Sequence, residues 1–222
     1  MFDILFAYIF LIYGNEYGCK MIKKIDILGI QLDNYTVREA IMRVEAWYDN
    51  NMLNVIEMVS MQMLTESESD PVLKEVISSL DLAVIGEKGI LQAAGVDTMQ
   101  RIRETEENDF SDEFLKRVER NRKSVFIIGE TQGAVDEFTQ ELREEYPKLV
   151  LAGAAATENC VGDLEGVINE MNAATPDVII SIIPSPGQEH FLVEHRDKIN
   201  ANLWYGICLL YTSPSPRDAH ES

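Results

Sequence analysis

The chain has 222 residues, 46% of them hydrophobic, a formal charge of −19 at pH 7 and a pI near 4.5. That length holds one sizeable core, and so acidic a surface argues against general nucleic-acid binding and gives no help to docking on an anionic membrane. Cys19, Cys160 and Cys208 show neither a zinc spacing nor a disulfide framework, which suits a reducing cytoplasm, and His190, His195 and His220 are too few for a histidine-based metal site.

Residues 2–13, FDILFAYIFLIY, form an apolar run with one acid and no positive flank. It is too short for a normal membrane span and lacks the basic start and small-residue cleavage site of a signal peptide. An ordinary soluble pattern begins at Met21, so residues 1–20 are expected to be a non-core extension, with a short membrane-associating segment as the alternative. Lys24 to Gly29 reads as a short strand and Gln31 to Asn34 as a turn. Thr36, with Glu39 three residues on, predicts a capping box and a helix to about Asn50, with Val37, Ala40, Ile41, Val44 and Trp47 on one face. Asn54 to Met61 is a strand, Asp70-Pro71 opens a helix, and Asp81 to Ile85 is a strand ending in Gly86-Glu87-Lys88-Gly89 before a helix at Ile90 to Ala94.

Glu104, Glu106, Glu107, Asp109, Asp112 and Glu113 then cluster. This reads as a solvated loop and helix start, since a metal site there would have no His or Cys ligand. Helix at Phe114 to Asn121, strand at Ser124 to Ile128, turn at Gly129 to Gly133 and helix at Ala134 to Tyr146 follow. A strand at Leu149 to Ala152 and a helix at Leu164 to Asn172 lead to Val178-Ile179-Ile180-Ser181-Ile182-Ile183, a run apolar enough for a strand buried on both faces. Pro184-Ser185-Pro186-Gly187 stops it, and Gln188-Glu189-His190-Phe191-Leu192 starts a helix. Leu209 to Asp218 has no periodicity and reads as a translated adapter or a disordered tail, so 208–222 is expected to lie outside the core. The alternation predicts one α/β domain at 21–207, Rossmann-like, with a mainly parallel sheet and helices on both faces.

The turns are the candidate chemistry. Gly86–Gly89 and Gly129–Gly133, the latter with Glu130 and Gln132, join strand to helix start, where free backbone N–H groups can cradle a phosphate. Neither matches the P-loop or the full dinucleotide fingerprint. Parallel strands should bring Ser60–Gln62, Gly86–Gly89, Gly129–Gly133 and Ser185–Glu189 to one edge and one cleft. Each has a plain architectural reading as well: a strand-turn-helix corner, helix capping by Gln188 and Glu189, and surface charge at Arg101 and Arg103.

Four blocks carry a family resemblance: ILGIQLDNYTVREAI, SDPVLKEVISSLDLAVI, SVFIIGETQGAVDEFTQELREEYPKL and TPDVIISIIPSPGQEHFLVEHRDKI, the last with the Pro-x-Gln-Glu of Pro186, Gln188 and Glu189. Over Ile25 to Ile207 the chain resembles the WecG/TagA/CpsF glycosyltransferases. The resemblance implies transfer of N-acetylmannosamine or its uronic acid from a UDP-sugar donor to a polyprenyl-diphosphate-linked acceptor at the inner membrane face, in teichoic-acid or surface-polysaccharide synthesis. It implies a cytoplasmic enzyme, peripheral at that membrane face, with no nucleic-acid partner, no metal and no other cofactor; a homo-oligomer is left open, because the sequence does not give the oligomeric state.

The sequence departs from the family where chemistry is expected. Ser60 and Gln62 stand where the family has a Thr-x-Asn pair. Gly86 stands where the family's Asp-Gly-x-Gly turn carries its proposed base, with Glu87 beside it. Ala154-Ala155-Ala156-Thr157 replaces a Gly-Tyr-Phe-like stretch, Ser181-Ile182-Ile183-Pro184 a Gly-rich one, and the family's segments after Trp204-Tyr205-Gly206 are absent. Sugar transfer with inversion needs a base for the acceptor hydroxyl and donors for the leaving diphosphate. By resemblance the base candidates are Glu87 and Glu189. The substrate-binding candidates are Ser60, Gln62, Gly86, Gly89, Arg101, Arg103, Gly129, Glu130, Gln132, Pro186 and Gln188. A catalytically impaired relative that binds a nucleotide sugar or a partner enzyme is the other reading, favoured by Gly86.

Overall fold

The computed structural model describes residues 23–50, 52–159 and 164–207. The expectations for residues 1–20 and for the tail from 208 onward lie outside the described residues. The first element is a hairpin of β1 (Lys24–Ile27) and β2 (Ile30–Asp33). The turn expected at Gln31–Asn34 is instead Leu28-Gly29, both at positive φ, as a two-residue hairpin loop requires. Leu28 is apolar and so reads as strand, but alternation resumes beyond it, and Ile25, Ile27, Ile30 and Leu32 all point into one core.

Helix α1 (Val37–Glu45) carries the expected capping box: Glu39 N–H donates to Thr36 Oγ1, and Thr36 N–H donates to the Glu39 carboxylate at 3.0 Å. Strand β3 (Asn54–Val59) is buried along its length and leads into a short helix α2 (Met61–Glu66), not anticipated from the sequence. Helix α3 (Pro71–Ser79) starts as expected, with Asp70 Oδ1 accepting from Val72 and Leu73 N–H and Pro71 in the first turn. Strand β4 (Leu82–Ile85) and helix α4 (Lys88–Ala93) follow. The acidic stretch is two helices, α5 (Met99–Glu106) and α6 (Asp109–Arg120), hinged at Asn108 with φ 52. It is not a solvated loop, because α6 has a full apolar face in Phe110, Phe114, Leu115 and Val118. Then come β5 (Ser124–Gly129), α7 (Gln132–Glu145), β6 (Val150–Ala156), α8 (Glu165–Ala173), β7 (Val178–Ser181), α9 (Gly187–His195) and β8 (Leu203–Gly206).

Among the described residues the main sheet has six strands, all parallel, in the order β4-β3-β8-β7-β5-β6. This is the expected Rossmann-like α/β class. Helices α1, α6 and α7 cover one face. The hairpin with α2, α3 and α4, and α8 with α9, cover the other. Strand β8 was not anticipated: four residues are too few to show a period, yet it lies at the sheet's centre. Its side chains serve both faces. Tyr205 packs edge-on to Phe114 at 4.8 Å and meets Ser111 Oγ at 2.6 Å, while Trp204 stacks on Phe191 at 5.7 Å.

Trp204 is fully buried, so its removal opens a cavity that the sheet cannot close. Trp204→Ala is expected to cost about 3–5 kcal/mol in urea unfolding. A loss below about 1 kcal/mol would show that β8 is not part of the stabilising core.

Candidate functional site

Because all six strands are parallel, the turns after β3, β4, β5 and β7 share one edge of the sheet. The connection out of β5 runs to β6 and that out of β7 runs to β8, in opposite directions, so their carboxyl ends form the topological switch point. Beside Gly129 there is no room for a side chain. A Cβ on Gly129 would lie 2.6 Å from Val135 Cγ2 and 3.0 Å from Ile182 Cγ1. A cleft lies beside the ends of β3 and β4, on the face covered by α1 and α6, lined among others by Asp33, Tyr35, Met58, Gly86, Arg101 and Asn108, with a cavity of about 30 Å³. A second pocket, of about 140 Å³, lies between α3 and α9.

Of the residues singled out from the sequence, Gly86 and Arg101 line this cleft. Arg101 is not a surface charge. It is buried, its Nη1 2.8 Å from Glu104 Oε2 and its Nε directed at Asn34 Oδ1. Glu104 also accepts from Gln100 Nε2, so the guanidinium is held by a carboxylate that is itself fixed. Arg103 is exposed.

Gly86 is tightly enclosed. A Cβ there would fall 2.7 Å from Met58 Cγ and 3.0 Å from the Val59 carbonyl oxygen. Met58 therefore occupies the room an aspartate at this position would need. The neighbouring Glu87 turns its carboxylate to the start of α2, where it accepts from Met61 N–H at 3.2 Å. Gly89 has ordinary room.

The other expected residues serve the local architecture. Ser60 is buried and caps α2, its Oγ accepting from Met63 N–H at 3.1 Å, and Gln62 is exposed and bonded to Glu66. At the turn after β5, Thr131 Oγ1 accepts from Ala134 N–H and the Glu158 carboxylate accepts from Gln132 N–H. The amino end of α7, expected as a phosphate cradle, thus already carries a carboxylate of this chain. Glu130 and Gln132 are exposed, and Gln132 also binds Asp136 and Asn159.

The turn after β7 differs from all of these. The Ser185–Pro186 peptide is cis and Pro186 is exposed. Gln188 and Glu189 are buried rather than capping, because the first turn of α9 presses onto β3 and β8. Gln188 Nε2 donates to Glu57 Oε1, and the Glu189 carboxyl is the neighbouring acid that acts on Glu57. Glu189 is 0% exposed and is not among the residues that line the cleft. Glu57 was missed from the sequence. Its only signal was one acid inside the strand NVIEMV. Burial, then the facing Glu189 carboxyl, push the Glu57 carboxyl well above the usual range. The expected turns therefore share an edge, and of their residues Gly86 lines the cleft described above.

Comparison with known proteins adds the following. A profile described as the Glycosyl transferase WecG/TagA/CpsF family matches residues 25–210. Proteins named N-acetylglucosaminyldiphosphoundecaprenol N-acetyl-beta-D-mannosaminyltransferase from Staphylococcus aureus strains NCTC 8325 and COL are each 22% identical over 189 residues, covering 83% of this chain and 72% of theirs. The protein of the same name from strain MRSA252 matches to the same extent.

Glu57 sets a pH dependence of stability. The folded chain holds its proton more tightly than the unfolded chain does, so the folded state binds more protons over that range and stability falls as pH rises. The contribution is full below the ordinary carboxyl value of 4.5 and is lost as pH climbs from there through the raised folded value. Asp70, Asp177 and Glu39, whose carboxyls are lowered, slope the other way, so the comparison is with a variant. Chemical denaturation from pH 4 to pH 9 should show Glu57→Gln gaining stability on the parent steadily as pH rises. A constant difference across that range would mean that Glu57 does not hold its proton in the fold.

Proposed function

The chain belongs to the Glycosyl transferase WecG/TagA/CpsF family, and we propose that it transfers an N-acetylmannosamine-type sugar from a UDP donor to a polyprenyl-diphosphate-linked amino sugar. The observation that carries this reading is the family match across residues 25–210, which spans the whole parallel sheet, including the cleft at Gly86 and Arg101. The named activity of the Staphylococcus aureus relatives supplies the acceptor and the sugar. Among the described residues no helix is long and apolar enough to cross a membrane. A lipid-linked acceptor would then be met by a peripheral approach to the membrane face.

In this reading the acceptor hydroxyl loses its proton to a carboxylate as its oxygen attacks the anomeric carbon, and the bond to the UDP oxygen breaks. The departing diphosphate needs positive charge or N–H donors where its own charge grows. Arg101 suits that role: it is fixed in the cleft wall and cannot lose its charge. Arg103, exposed on the same helix, is the second source of charge. For the base, Glu87 stands next to the position where the family carries its aspartate, whereas Glu189 is buried and would have to be uncovered to act. Glu87 must leave Met61 N–H to act.

The crowding of Gly86 by Met58 favours a second reading, in which the chain binds the nucleotide sugar and turns it over poorly or not at all. Calorimetry with UDP and UDP-N-acetylmannosamine, followed by transfer assays on a lipid-linked acceptor, separates the two. Binding with transfer supports the enzyme, binding without transfer the impaired relative, and absence of binding removes the nucleotide-sugar assignment. If transfer occurs, Glu87→Gln should lower its rate by about 10²–10⁴-fold with UDP affinity unchanged. An unchanged rate would discard Glu87 as base. Gly86→Asp alone should gain nothing and cost about 1–3 kcal/mol through overpacking. Gly86→Asp with Met58→Ala should recover the room and raise transfer above the parent. Failure of the double variant to exceed the single one would show that Met58 is not what excludes an aspartate.

A further inference from the structure

The carboxyl edge holds one polar cluster that sugar transfer as described does not use. Glu57, Gln188 and Glu189 are 1%, 3% and 0% exposed. Glu57 lies on β3 directly beside Gly206 of β8 in register. A Cβ on Gly206 would fall 2.5 Å from Gln188 Nε2, so only glycine lets the amide lie against β8 and reach Glu57. Gln188 Nε2 donates to Glu57 Oε1. Glu57 Oε2, both Glu189 oxygens and Gln188 Oε1 are then buried with no donor. Native proteins do not leave several buried acceptors facing one another without protons. Two ionised carboxylates in contact, with no cation between them, would be costlier still. One proton held between the carboxyls turns one of them into a donor and removes the conflict.

We propose that Glu57 is a positioning residue: it shares one proton with Glu189, and the pair holds the Gln188 amide and the first turn of α9 against β3 and β8, at the carboxyl edge where the turns after the strands gather. The part that concerns a ligand rests on the nucleotide-sugar reading; the shared proton does not.

The other titratable groups around this cluster have their own contacts, His195 through its ring alone, since both its ring nitrogens are buried without a hydrogen-bond partner. On α9, His190 meets Asp70 at 3.0 Å, and the His195 ring lies edge-on to Phe191. Asp70 also caps α3, Glu87 accepts from Met61 N–H, and Arg196 reaches the Leu53 carbonyl and Asp81. Among the described residues, Glu189 is the charged group that acts on Glu57. Removing the shared proton therefore sets two carboxylates against each other at the amino end of α9. That pushes the turn carrying Gln188 off β3 and β8.

The test is nuclear magnetic resonance of the full chain with glutamate side-chain carbons and glutamine amides labelled. The parent should show a protonated glutamate carboxyl at pH 7, and the Gln188 side-chain N–H protons should exchange on the order of tenfold or more slowly than those of exposed glutamines. Glu57→Gln keeps an acceptor for Gln188 and offers Glu189 an N–H donor. It should lose the protonated carboxyl signal and keep the slow exchange. Glu57→Ala should lose both. If Glu57→Ala does not fold, the parent and Glu57→Gln spectra decide. Glutamate carbons that all titrate in the ordinary range, or Gln188 protons that exchange as fast as exposed ones in the parent, would overturn the proposal. A second arm measures UDP affinity by calorimetry from pH 6 to pH 9. Parent affinity should fall where the carboxyl signal ionises, and Glu57→Gln should hold a flat profile. UDP binding that ignores the ionisation would remove the positioning role. A parent that binds no UDP at any pH would sink the nucleotide-sugar reading and leave the spectra to judge the shared proton.

Discussion

The sheet is continuous only because β8 is in it. Strands β3 and β4 form one part and β7, β5 and β6 another, and among the described residues no strand of one part pairs with a strand of the other except through β8, Leu203 to Gly206. The slot is prepared at its amino end, where Asn54 N–H donates to the Asn202 carbonyl and Asn202 and Leu203 N–H both donate to that of Asp177. It is then filled from both faces, by Tyr205 against the α6 aromatics and Trp204 against Phe191. Gly206 closes it at the carboxyl edge, where the Gln188 amide crosses. Nearly 150 residues separate β3 from the strand that must pair with it. Such non-local pairing is slow to form, because the loop entropy is spent before the contact is made.

The second organising feature is how the chain uses its acids. Helix amino ends attract negative charge, and here carboxylates of the chain supply it: Asp70 on α3, Glu87 on α2 and Glu158 on α7. Each satisfies backbone N–H groups that a diphosphate would otherwise contact. The same economy operates at the strand starts, where Asp177 accepts from Ser124 N–H and Asp81 from Val55 N–H, and Asp33 ties the hairpin to β4 through Ala83 N–H. Where these carboxylates sit, a diphosphate must be met by side-chain cations or must displace them, while the starts of α4 and α9 at the same edge carry no side-chain cap. Arg101, already fixed by Glu104 in the cleft wall, is placed for the first of these.

The two faces of the carboxyl edge divide the labour. The face with α1 and α6 carries the open cleft and the crowded Gly86. The face with α9 carries the closed cluster of Glu57, Gln188 and Glu189. They are adjacent through β3, whose consecutive residues Glu57 and Met58 point to opposite faces. One strand thus presents the methionine that fills the aspartate's room and the acid that holds Gln188.

The sequence by itself determined the class of fold, because continuous apolar runs such as Val125 to Ile128 and Val178 to Ile180 admit only strands buried on both faces. It determined the helix starts at Thr36 and Asp70, because capping chemistry is local, and it carried the family in blocks that survive low identity. It did not reveal β8, because four residues have no readable period and the pairing that makes them a strand is with residues far away in the chain. It read Arg101 as a surface charge or a substrate-binding cation, since Glu104 is a local partner three residues on but the Asn34 that encloses it is 67 residues away. Glu189 passed for an accessible base because a first-turn glutamate is ordinarily a solvated one. Only packing α9 onto β3 and β8 brought it against Glu57, where two acids must share what one would hold alone.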